Sequence, residues 1–374
     1  MRVLLLFGGR SAEHDVSRVS AVAAAISLDP TRYEVLPVAI NRSGEWLLAT
    51  ETQKFLDGPR EIVPDSFIVE GIKVTGPSVP GQNKLVFAEP TADNSNLSFD
   101  VVLPLLHGPF GEDGTIQGLL ELADVPYVGS GVVGSAVAMD KVIMKRAFVA
   151  EGLPVPRWLP FRDGQDKAEI LAQCESRLGY PMFVKPANLG SSVGISKVLN
   201  PKEFATAIDL AWRYDEWIVI EEGVTAREIE VAILGDNPPE ASIPGEIIPG
   251  SDFYSYSDKY IDNSAELLAP APLDNDLVIE VQNLAKQAFL ACRCESMARV
   301  DFFYEEKRDD GRPGRGFLAN EVNTIPGFTP ISMYPRLWKE SGLSYSALLD
   351  RLIDLSLERH SRRSSRTAKS LAAD

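Results

Sequence analysis

The segment FVKPANLGSSVG at residues 183–194 ends a β run on Lys185 and continues into a Gly/Ser loop. Small residues let backbone N–H groups fold around phosphate oxygens, and the lysine supplies a positive charge. The GK[ST] ending of a Walker A loop is absent. A surface hairpin is the alternative, but such loops seldom combine a strand-end lysine with two glycines and two serines. The residue chemistry therefore favours a phosphate-binding loop.

Two further segments, Arg299-Val300-Asp301 and Asn320-Glu321-Val322-Asn323, carry polar residues at alternate positions. Alternate residues of a strand share one face. If these two strands pair, oxygen ligands from Asp301, Glu321 and Asn323 converge. Magnesium prefers hard oxygen ligands and completes its octahedron with nucleotide phosphates. Four exposed positions on a half-buried sheet would give the same pattern, so these residues alone do not decide between the two interpretations.

A third segment, Ile220-Glu221-Glu222-Gly223-Val224, is followed by Glu228. A buried strand that leads into backbone acceptors and a carboxylate can hold the amino edge of adenine. A carboxylate such as Glu228 can accept a ribose hydroxyl. The pattern is weak by itself, because glutamate is common on protein surfaces.

The N-terminal part of the chain has the βαβ pattern of a parallel α/β sheet. Val3–Phe7 is a continuous apolar run that predicts a strand buried on both faces. The pattern predicts a helix at Ser17–Leu28 and a second strand at Glu34–Ile40. A further buried strand at Asp100–Leu106 delivers His107 at its carboxyl end, where open α/β sheets bind ligands.

The second half of the chain changes in composition. Residues 155–221 predict alternating strands and helices, and residues 228–330 are rich in predicted strands, with one helix at 276–291. An irregular stretch occupies 249–264, and a helix at 343–359 closes the folded part.

Two regions carry little pattern. Residues 41–98 are irregular, with many Pro, Gly and Asn, and predict a peripheral hairpin or two. Residues 361–374 have basic residues and little apolar content. They predict a disordered tail whose charges are solvated.

Composition and charge exclude several classes of protein. The 374 residues predict two or three domains. A net charge of −16 disfavours general binding to nucleic acid or an anionic membrane. Only three cysteines and three histidines disfavour a disulfide scaffold and a zinc site. Without a signal-peptide pattern or an apolar run of about 18 residues, the sequence predicts a cytoplasmic enzyme.

The segment Gly129-Ser130-Gly131-Val132-Val133-Gly134 matches the dinucleotide fingerprint G-x-G-x-x-G. A nicotinamide site also needs an acidic residue at the end of a second strand about 20 residues further on. The candidate, Glu151, instead ends a predicted helix. A glycine turn between domains is therefore favoured over an NAD-dependent oxidoreductase.

Taken together, the order of motifs resembles the D-alanine–D-alanine ligase family of the ATP-grasp superfamily. The resemblance runs from about residue 2 to about residue 358, without residues 41–98 and the tail. The motifs are GGRSAEHDVS (8–17), LHGPFGEDGTIQG (106–118), GSGV…MDK (129–141), VKPANLGSSVG (184–194), DKY (258–260), ARVDFF (298–303) and NEVNTIPGFTPIS (320–332).

The resemblance implies a combined α/β and α+β fold. An N-terminal parallel α/β, Rossmann-like substrate domain at 1–128 would precede an ATP-grasp pair of α+β subdomains. The central subdomain at 129–223 would carry the Gly/Ser phosphate loop. The C-terminal subdomain at 224–360 would carry the metal site and a lid loop, and the tail would follow at 361–374. A homodimer is expected, with ATP, two Mg²⁺ (or Mn²⁺ as a substitute) and D-alanine as ligands.

The same resemblance implies a role for each site residue. The ATP-binding set is Lys141, Lys185, Ser192, Val193, Glu221, Glu222, Val224 and Glu228. The metal set is Asp301, Glu321 and Asn323. The catalytic set is Glu13, Ser191, Tyr260, Arg299 and Gly327. The substrate-binding set is His107, Lys259 and Ser332.

Among these residues, Glu13 would pair with the ammonium of the first D-alanine and His107 would lie near its carboxylate. Arg299 and the Gly327 N–H would form an oxyanion hole. Lys259 would lie beside the transferred phosphoryl group, and Ser332 would bind the carboxylate of the second D-alanine.

A hydrogen-bonded set of Tyr260, Ser191 and Glu13 would hold the 249–264 loop closed as a lid. One departure from the family pattern is Ile331, where many members have histidine. A D-alanine–D-lactate ligase and a non-catalytic nucleotide-binding protein remain as alternatives.

Overall fold

The computed structural model describes residues 1–58, 63–90, 96–249, 266–329 and 331–366. The predicted site residues Lys259 and Tyr260 lie outside these ranges, as does most of the predicted lid. Within the described ranges, no helix combines the length and the apolar character that crossing a bilayer would need.

The strands are short in the first half of the chain and longest near its end. In chain order they are β1 Arg2–Gly8, β2 Glu34–Ile40, β3 Trp46–Leu48, β4 Ile72–Thr75, β5 Val86–Phe87, β6 Val101–Pro104, β7 Trp158–Arg162, β8 Met182–Pro186, β9 Ser196–Val198, β10 Trp217–Glu222, β11 Arg227–Leu234, β12 Glu240–Ile248, β13 Glu266–Leu268, β14 Met297–Lys307 and β15 Pro313–Asn323.

The described helices lie between these strands and after the last of them. They are α1 His14–Ser27, α2 Thr50–Asp57, α3 Thr115–Leu122, α4 Val132–Met139, α5 Lys141–Ala150, α6 Lys167–Arg177, α7 Pro201–Trp212, α8 Asn275–Ala291, α9 Met333–Glu340 and α10 Tyr345–Ser364.

The first sheet has the order β5-β4-β3-β2-β1-β6. Strand β1 pairs in parallel with β2 and β6, which confirms the predicted parallel α/β unit. Its residues from Val3 to Phe7 are fully buried, as their apolar run predicted. Strands β3, β4 and β5 extend the sheet in antiparallel order, so the peripheral hairpins predicted for 41–98 are confirmed. The same region also contains α2, which the sequence analysis did not predict.

Two antiparallel sheets make up the rest of the molecule. One has the order β7-β10-β8-β9, with α6 and α7 contributing to its core. The other has the order β13-β12-β11-β14-β15. Helix α8 packs on this sheet through Val281, Ala285 and Phe289, which recur every four residues and are fully buried. Each sheet with its helices forms one of the two expected α+β units.

One apolar core joins the first sheet to the last. It contains Val3 and Leu5 of β1, Leu234 of β11 and Leu349 of α10. Helices α9 and α10 belong to the same core. A close-packed interior resists small displacements. The shared core therefore holds the carboxyl ends of β1 and β6 at a set position relative to β14 and β15.

The glycines of the false dinucleotide fingerprint serve packing in this fold. Gly131 is the N-cap of α4. A Cβ on Gly134 would lie 2.6 Å from the carbonyl oxygen of Arg293. Glycine is therefore needed for the close approach of α4 to the 293–294 backbone, and no second strand leads to Glu151, which caps the end of α5.

The C-terminal tail departs from its prediction at its start. Helix α10 continues to Ser364, so disorder beginning at residue 361 is wrong. Arg362 pairs with Asp236 at 2.8 Å, and Arg363 pairs with Glu295 at 2.7 Å and Glu121 at 2.6 Å. Basic residues are favoured in the last turn of a helix, and these two also have acidic partners. Their charges are not merely solvated. Residues 367–374 lie outside the described ranges.

Arg359 connects α10 to the start of the central unit. Its side chain is 3% exposed and donates to the backbone oxygens of Gly129 and Tyr127. It also lies 3.5 Å from Glu295. The substitution Arg359→Met would leave these buried acceptors without their donor.

We expect Arg359→Met to lower the free energy of unfolding by about 3 kcal/mol, the cost of breaking a buried charged pair. Urea denaturation followed by circular dichroism measures this change. The control is Arg362→Met, which removes a more exposed ion pair and should cost about 1 kcal/mol or less. Equal losses in the two variants would contradict the role given to Arg359.

Candidate functional site

A cavity of about 620 Å³ opens where the three sheets meet. Its walls come from α1, the loop after β6, the N-terminus of α5, the Gly/Ser loop, and the strands β14 and β15 with the loop that follows. It brings together predicted residues that are far apart in the chain: Glu13, His107, Lys141, Ser191, Arg299, Glu321, Asn323, Gly327 and Ser332.

The remaining described members of the predicted set do not line this cavity. The metal-set residue Asp301 lies on β14. Of the ATP-binding set, Lys185 lies on β8, Glu221 and Glu222 lie on β10, Val224 follows β10, and Glu228 lies on β11. Their predicted contacts with ATP, like those of Ser192 and Val193 in the Gly/Ser loop, stay predictions.

Glu221 is a buried carboxylate that forms ion pairs with two lysines. It accepts a hydrogen bond from Lys185 at 2.8 Å and pairs with Lys145 of α5 at 2.9 Å. Burial alone would raise the pKa of Glu221, but Lys145 and Lys185 lower it to about 2. Burial also lowers the pKa of Lys145. Sequence analysis missed Lys145, although its position four residues after Lys141 places both on one face of a helix.

Glu222 has a different environment from Glu221, because successive residues of a strand face opposite sides. It accepts from Arg157 at 2.7 Å and from Arg315 at 2.5 Å. Its carboxylate thus joins β10 to the segment before β7 and to β15. The structure gives Glu222 an ion-pairing role that the sequence analysis did not foresee.

The Gly/Ser loop is tied to the cavity from two sides. Lys141, the first residue of α5, donates through Nζ to the carbonyl oxygen of Leu189 at 2.6 Å. Ser191 Oγ donates to Glu13 Oε1 at 2.5 Å. Ser191 and Ser192 both have positive φ, 51° and 59°, which bends the loop sharply. The predicted Ser191–Glu13 contact is therefore present, while its Tyr260 partner lies outside the described residues.

His107 is held by hydrogen bonds at both ring nitrogens. Nδ1 lies 2.9 Å from the carbonyl oxygen of Ile325, and Nε2 lies 2.9 Å from Ser20 Oγ. A carbonyl only accepts, so Nδ1 carries the proton and Nε2 accepts from the serine. Burial lowers the pKa of His107, which agrees with a neutral ring. The predicted contact with a substrate carboxylate stays a prediction.

Glu112 is a carboxylate of the cavity wall that the sequence analysis did not select. It accepts from Gly108 N at 2.7 Å and from Ile325 N at 2.9 Å. Burial and the nearby Glu13 raise the pKa of Glu112 to about 8. It lies in the quoted motif LHGPFGEDGTIQG, where an acid in a glycine-rich loop after a buried strand could have marked it.

Strands β14 and β15 pair as the metal prediction required. Asp301 lies opposite Glu321, and Arg299 lies opposite Asn323. Asn323 Nδ2 donates to Asp301 Oδ2 at 3.0 Å. All four residues are half-buried, so the alternative of four exposed sheet positions is wrong.

This donor set of two carboxylates and one amide oxygen fits Mg²⁺ or Mn²⁺, which take oxygen ligands. Asp301 and Glu321 are its only two carboxylates, and within the described part of the chain no three His, Cys, Asp or Glu side chains cluster so that they could hold a metal ion.

Arg299 is fixed by two carboxylates. Its Nε and Nη2 donate to Asp301 at 2.7 Å and 2.8 Å, and Nε also lies 3.2 Å from Glu230 of β11. Burial alone would lower the pKa of Arg299, but Asp301 and Glu230 raise it. The guanidinium is therefore charged and oriented at the cavity wall. Glu230 was missed, although its alternation with Glu228 on a predicted strand could have marked it.

The loop after β15 supplies the last wall. Ser332 is the N-cap of α9, and its hydroxyl accepts from Thr329 N at 3.0 Å. A Cβ on Gly327 would lie 2.9 Å from Ser332 Oγ, so only glycine permits this approach without displacing the hydroxyl. Helix N-termini favour anions. Ile331 lies beside this helix end, is 67% exposed and offers no polar group.

Comparisons with known proteins identify the family. The family model described as the D-ala D-ala ligase N-terminus matches residues 2–130, and that of the D-ala D-ala ligase C-terminus matches residues 147–354. The D-alanine–D-alanine ligase of Natranaerobius thermophilus is 45% identical over 362 residues, which cover 96% of this chain and 95% of that protein. The enzyme of the same name from Thermoanaerobacter sp. strain X514 is 48% identical over 363 residues, covering 96% and 97%.

Solved structures agree with these relatives. The D-alanine–D-alanine ligase from Coxiella burnetii superposes with a TM-score of 0.82 at 34% identity, covering 97% of this chain and 96% of that one. The VanG D-Ala:D-Ser ligase from Enterococcus faecalis superposes with a TM-score of 0.80 at 32% identity, covering 95% and 99%. Such ligases have the ATP-grasp fold. With full-length matches in both halves, the chain belongs to the D-alanine–D-alanine ligase family.

Proposed function

We propose that this chain joins two D-alanine molecules into D-alanyl-D-alanine, a peptidoglycan precursor, and converts ATP to ADP and phosphate. The observation that carries the proposal is the cavity itself. There the Glu13–Ser191 hydrogen bond links the first sheet to the Gly/Ser loop, beside Lys141 and the β14–β15 pair. A cytoplasmic location and a homodimer are part of the same proposal.

The first step activates a carboxylate. A carboxylate oxygen of the first D-alanine attacks the γ-phosphorus, the bond to the β-phosphate oxygen breaks, and an acyl phosphate and ADP form. Two anions must approach each other in this step. Lys145 and Lys185 share one carboxylate, Glu221, and Lys141 lies nearby, so that positive charge remains for the phosphates. Electrostatic stabilisation of this kind dominates phosphoryl transfer.

Three side chains of β14 and β15 are the proposed metal ligands for the same step. Asp301, Glu321 and Asn323 would hold Mg²⁺, or Mn²⁺ in its place. Bound ions supply positive charge to the phosphate oxygens. The carboxylate of Asp301 also orients Arg299, so one side chain would serve both the metal site and the guanidinium.

The second step forms the peptide bond. The neutral amine of the second D-alanine attacks the acyl carbon, a tetrahedral oxyanion forms, and phosphate leaves as the nitrogen loses its proton. Arg299 and the Gly327 N–H are the proposed oxyanion donors. Ser332, at the N-terminus of α9, is the proposed partner of the carboxylate of the second substrate, which a helix N-terminus would favour.

Glu13 and the Gly/Ser loop complete the substrate site. A carboxylate at position 13 pairs with the ammonium of the first D-alanine, and its hydrogen bond to Ser191 holds the loop over the cavity. An acyl phosphate hydrolyses in water, so a loop closed in this way protects the intermediate.

The reaction itself is the first test. Purified protein given ATP, Mg²⁺ and D-alanine should release phosphate and form D-alanyl-D-alanine, detected by chromatography and mass spectrometry. L-Alanine should give neither product, because the proposed contacts of Glu13 and the oxyanion donors fit only one enantiomer of the substrate. Parallel reactions with D-serine or D-lactate as acceptor test the related ligases. Failure to form any dipeptide while ATP binds would contradict the proposal.

The metal site makes a second test possible. We expect Glu321→Gln to lower turnover by at least about 10²-fold, because a neutral amide replaces a metal ligand with little change in volume. The control is Glu246→Gln, which alters a buried carboxylate of the same sheet that pairs with Arg227. Steady-state phosphate release, with circular dichroism to verify folding, distinguishes the two. Comparable rates in both variants would exclude Glu321 as a metal ligand.

Arg299 provides a third test. We expect Arg299→Met to lower turnover by about 10²-fold or more, the usual effect of removing one oxyanion donor. ATP affinity, measured by calorimetry, should change much less. Arg227→Met is the control, because Arg227 also binds a carboxylate in this sheet but does not line the cavity. Weakened ATP binding with preserved turnover would assign Arg299 to the nucleotide instead.

A further inference from the structure

Glu112 joins two loops that belong to different sheets. Its Oε2 accepts from Gly108 N, in the loop that follows β6 of the first sheet. Its Oε1 accepts from Ile325 N, in the loop that follows β15 of the last sheet. The two loops are 213 residues apart at the Glu112–Ile325 contact. A single carboxylate therefore bridges the two walls of the cavity, beside the His107–Ile325 hydrogen bond that joins the same two loops.

Ile325 is held at both ends of its backbone. Its N–H donates to Glu112 at 2.9 Å, and its carbonyl oxygen accepts from His107 Nδ1 at 2.9 Å. Gly327, the proposed oxyanion donor, follows two residues later. We call the contacts of Glu112 and His107 with Ile325 the Ile325 clamp. It sets the course of the backbone that leads to the Gly327 N–H.

The other end of the Glu112 contact lies against Glu13. Gly108 has a φ of +75°, and a Cβ at this residue would lie 2.5 Å from Glu13 Oε2. The Gly108 backbone thus packs directly against the carboxylate proposed to bind the substrate ammonium. By holding the Gly108 N–H, Glu112 also fixes the surface on which Glu13 rests.

We propose that Glu112 is a positioning residue that sets the Gly108 turn and the Ile325 backbone so that Glu13 and the Gly327 N–H face one substrate molecule. The proposal rests on the proposed function for the identity of that substrate. Its physical content, the clamping of two loops by one carboxylate, stands on contacts within the chain. Glu112 acts through backbone groups, and no contact of its own with the reacting atoms is required.

The substitution Glu112→Gln distinguishes this hydrogen-bonding role from a role in which the side chain only fills space. A glutamine has almost the same shape but only one acceptor oxygen, so its NH₂ group must face one of the two backbone N–H donors. Asp113→Asn is the matched control. Asp113 is the next residue and also accepts from two backbone amides, Phe110 N at 2.8 Å and Thr115 N at 2.9 Å. Both amides lie within three residues of Asp113, one in its own loop and one at the start of α3.

Amide hydrogen exchange measures the clamp without reference to activity. In Glu112→Gln, we expect exchange in the 322–328 segment to accelerate about tenfold or more, because a buried N–H loses its acceptor. In Asp113→Asn, the same segment should exchange as in the unsubstituted chain. Unchanged exchange in Glu112→Gln, or equal acceleration in both variants, would overturn the proposal.

Steady-state kinetics measure the consequence for the substrate. We expect kcat/KM for D-alanine to fall at least about tenfold in Glu112→Gln, while KM for ATP changes less than about twofold. A structural defect alone would affect both substrates together, and that result would overturn the proposal. Should Glu112→Gln fail to fold, Glu112→Asp keeps the carboxyl group and shortens the reach, and the same D-alanine-selective loss is expected from it.

The unsubstituted chain separates the two proposals. If it does not ligate D-alanine, the proposed function fails, and hydrogen exchange still decides whether Glu112 clamps the two loops. If it ligates D-alanine and Glu112→Gln does so with unchanged kcat/KM, the function stands and the positioning role is overturned.

Discussion

Electrostatic repulsion between anions is the constraint on which this site depends. The chain carries a net charge of −16, yet its proposed substrates are a polyphosphate and a carboxylate. Positive charge must therefore be concentrated locally. Lys145 and Lys185 converge on Glu221, and Lys141 is attracted first by Glu321 and then by Glu221. One buried anion allows several lysines to approach one another, so the carboxylate makes the positive site possible.

The same logic orders the cavity wall on the last sheet. Arg299 is held by Asp301 and Glu230, and the carboxylates raise the pKa of the guanidinium despite its burial. An arginine fixed in this way needs no reorganisation when negative charge develops beside it, which is the basis of oxyanion stabilisation. Asp301 and Glu230, although acidic, would thus contribute to anion binding by orienting Arg299.

Local pattern and long-range contact differ in what a sequence reveals. Alternation placed Arg299 with Asp301 on one face of β14, and Glu321 with Asn323 on one face of β15, because the period of a strand is a local property. The first parallel sheet was predictable from the βαβ order for the same reason. The pairing of β14 with β15, which brings Asp301 opposite Glu321, was only a condition of the prediction and is supplied by the structure. Glu112 was missed because its decisive partner, Ile325, is 213 residues away and contributes only a backbone N–H. Neither the spacing of residues along the chain nor their type indicates such a contact.

Backbone partners also explain why one carboxylate can matter more than its neighbour. Asp113 accepts from amides within three residues of itself, so its contacts follow from local turn chemistry. One carboxylate oxygen of Glu112 accepts a hydrogen bond from its own loop, and the other accepts one from a distant loop. The shared apolar core already holds the two sheets at a set position relative to each other. A single hydrogen bond between their edges therefore costs little further conformational entropy. The core brings the first and last sheets close enough for one side chain to bridge them. The Glu112 carboxylate then fixes the loop after β15, on which the proposed catalysis would rely.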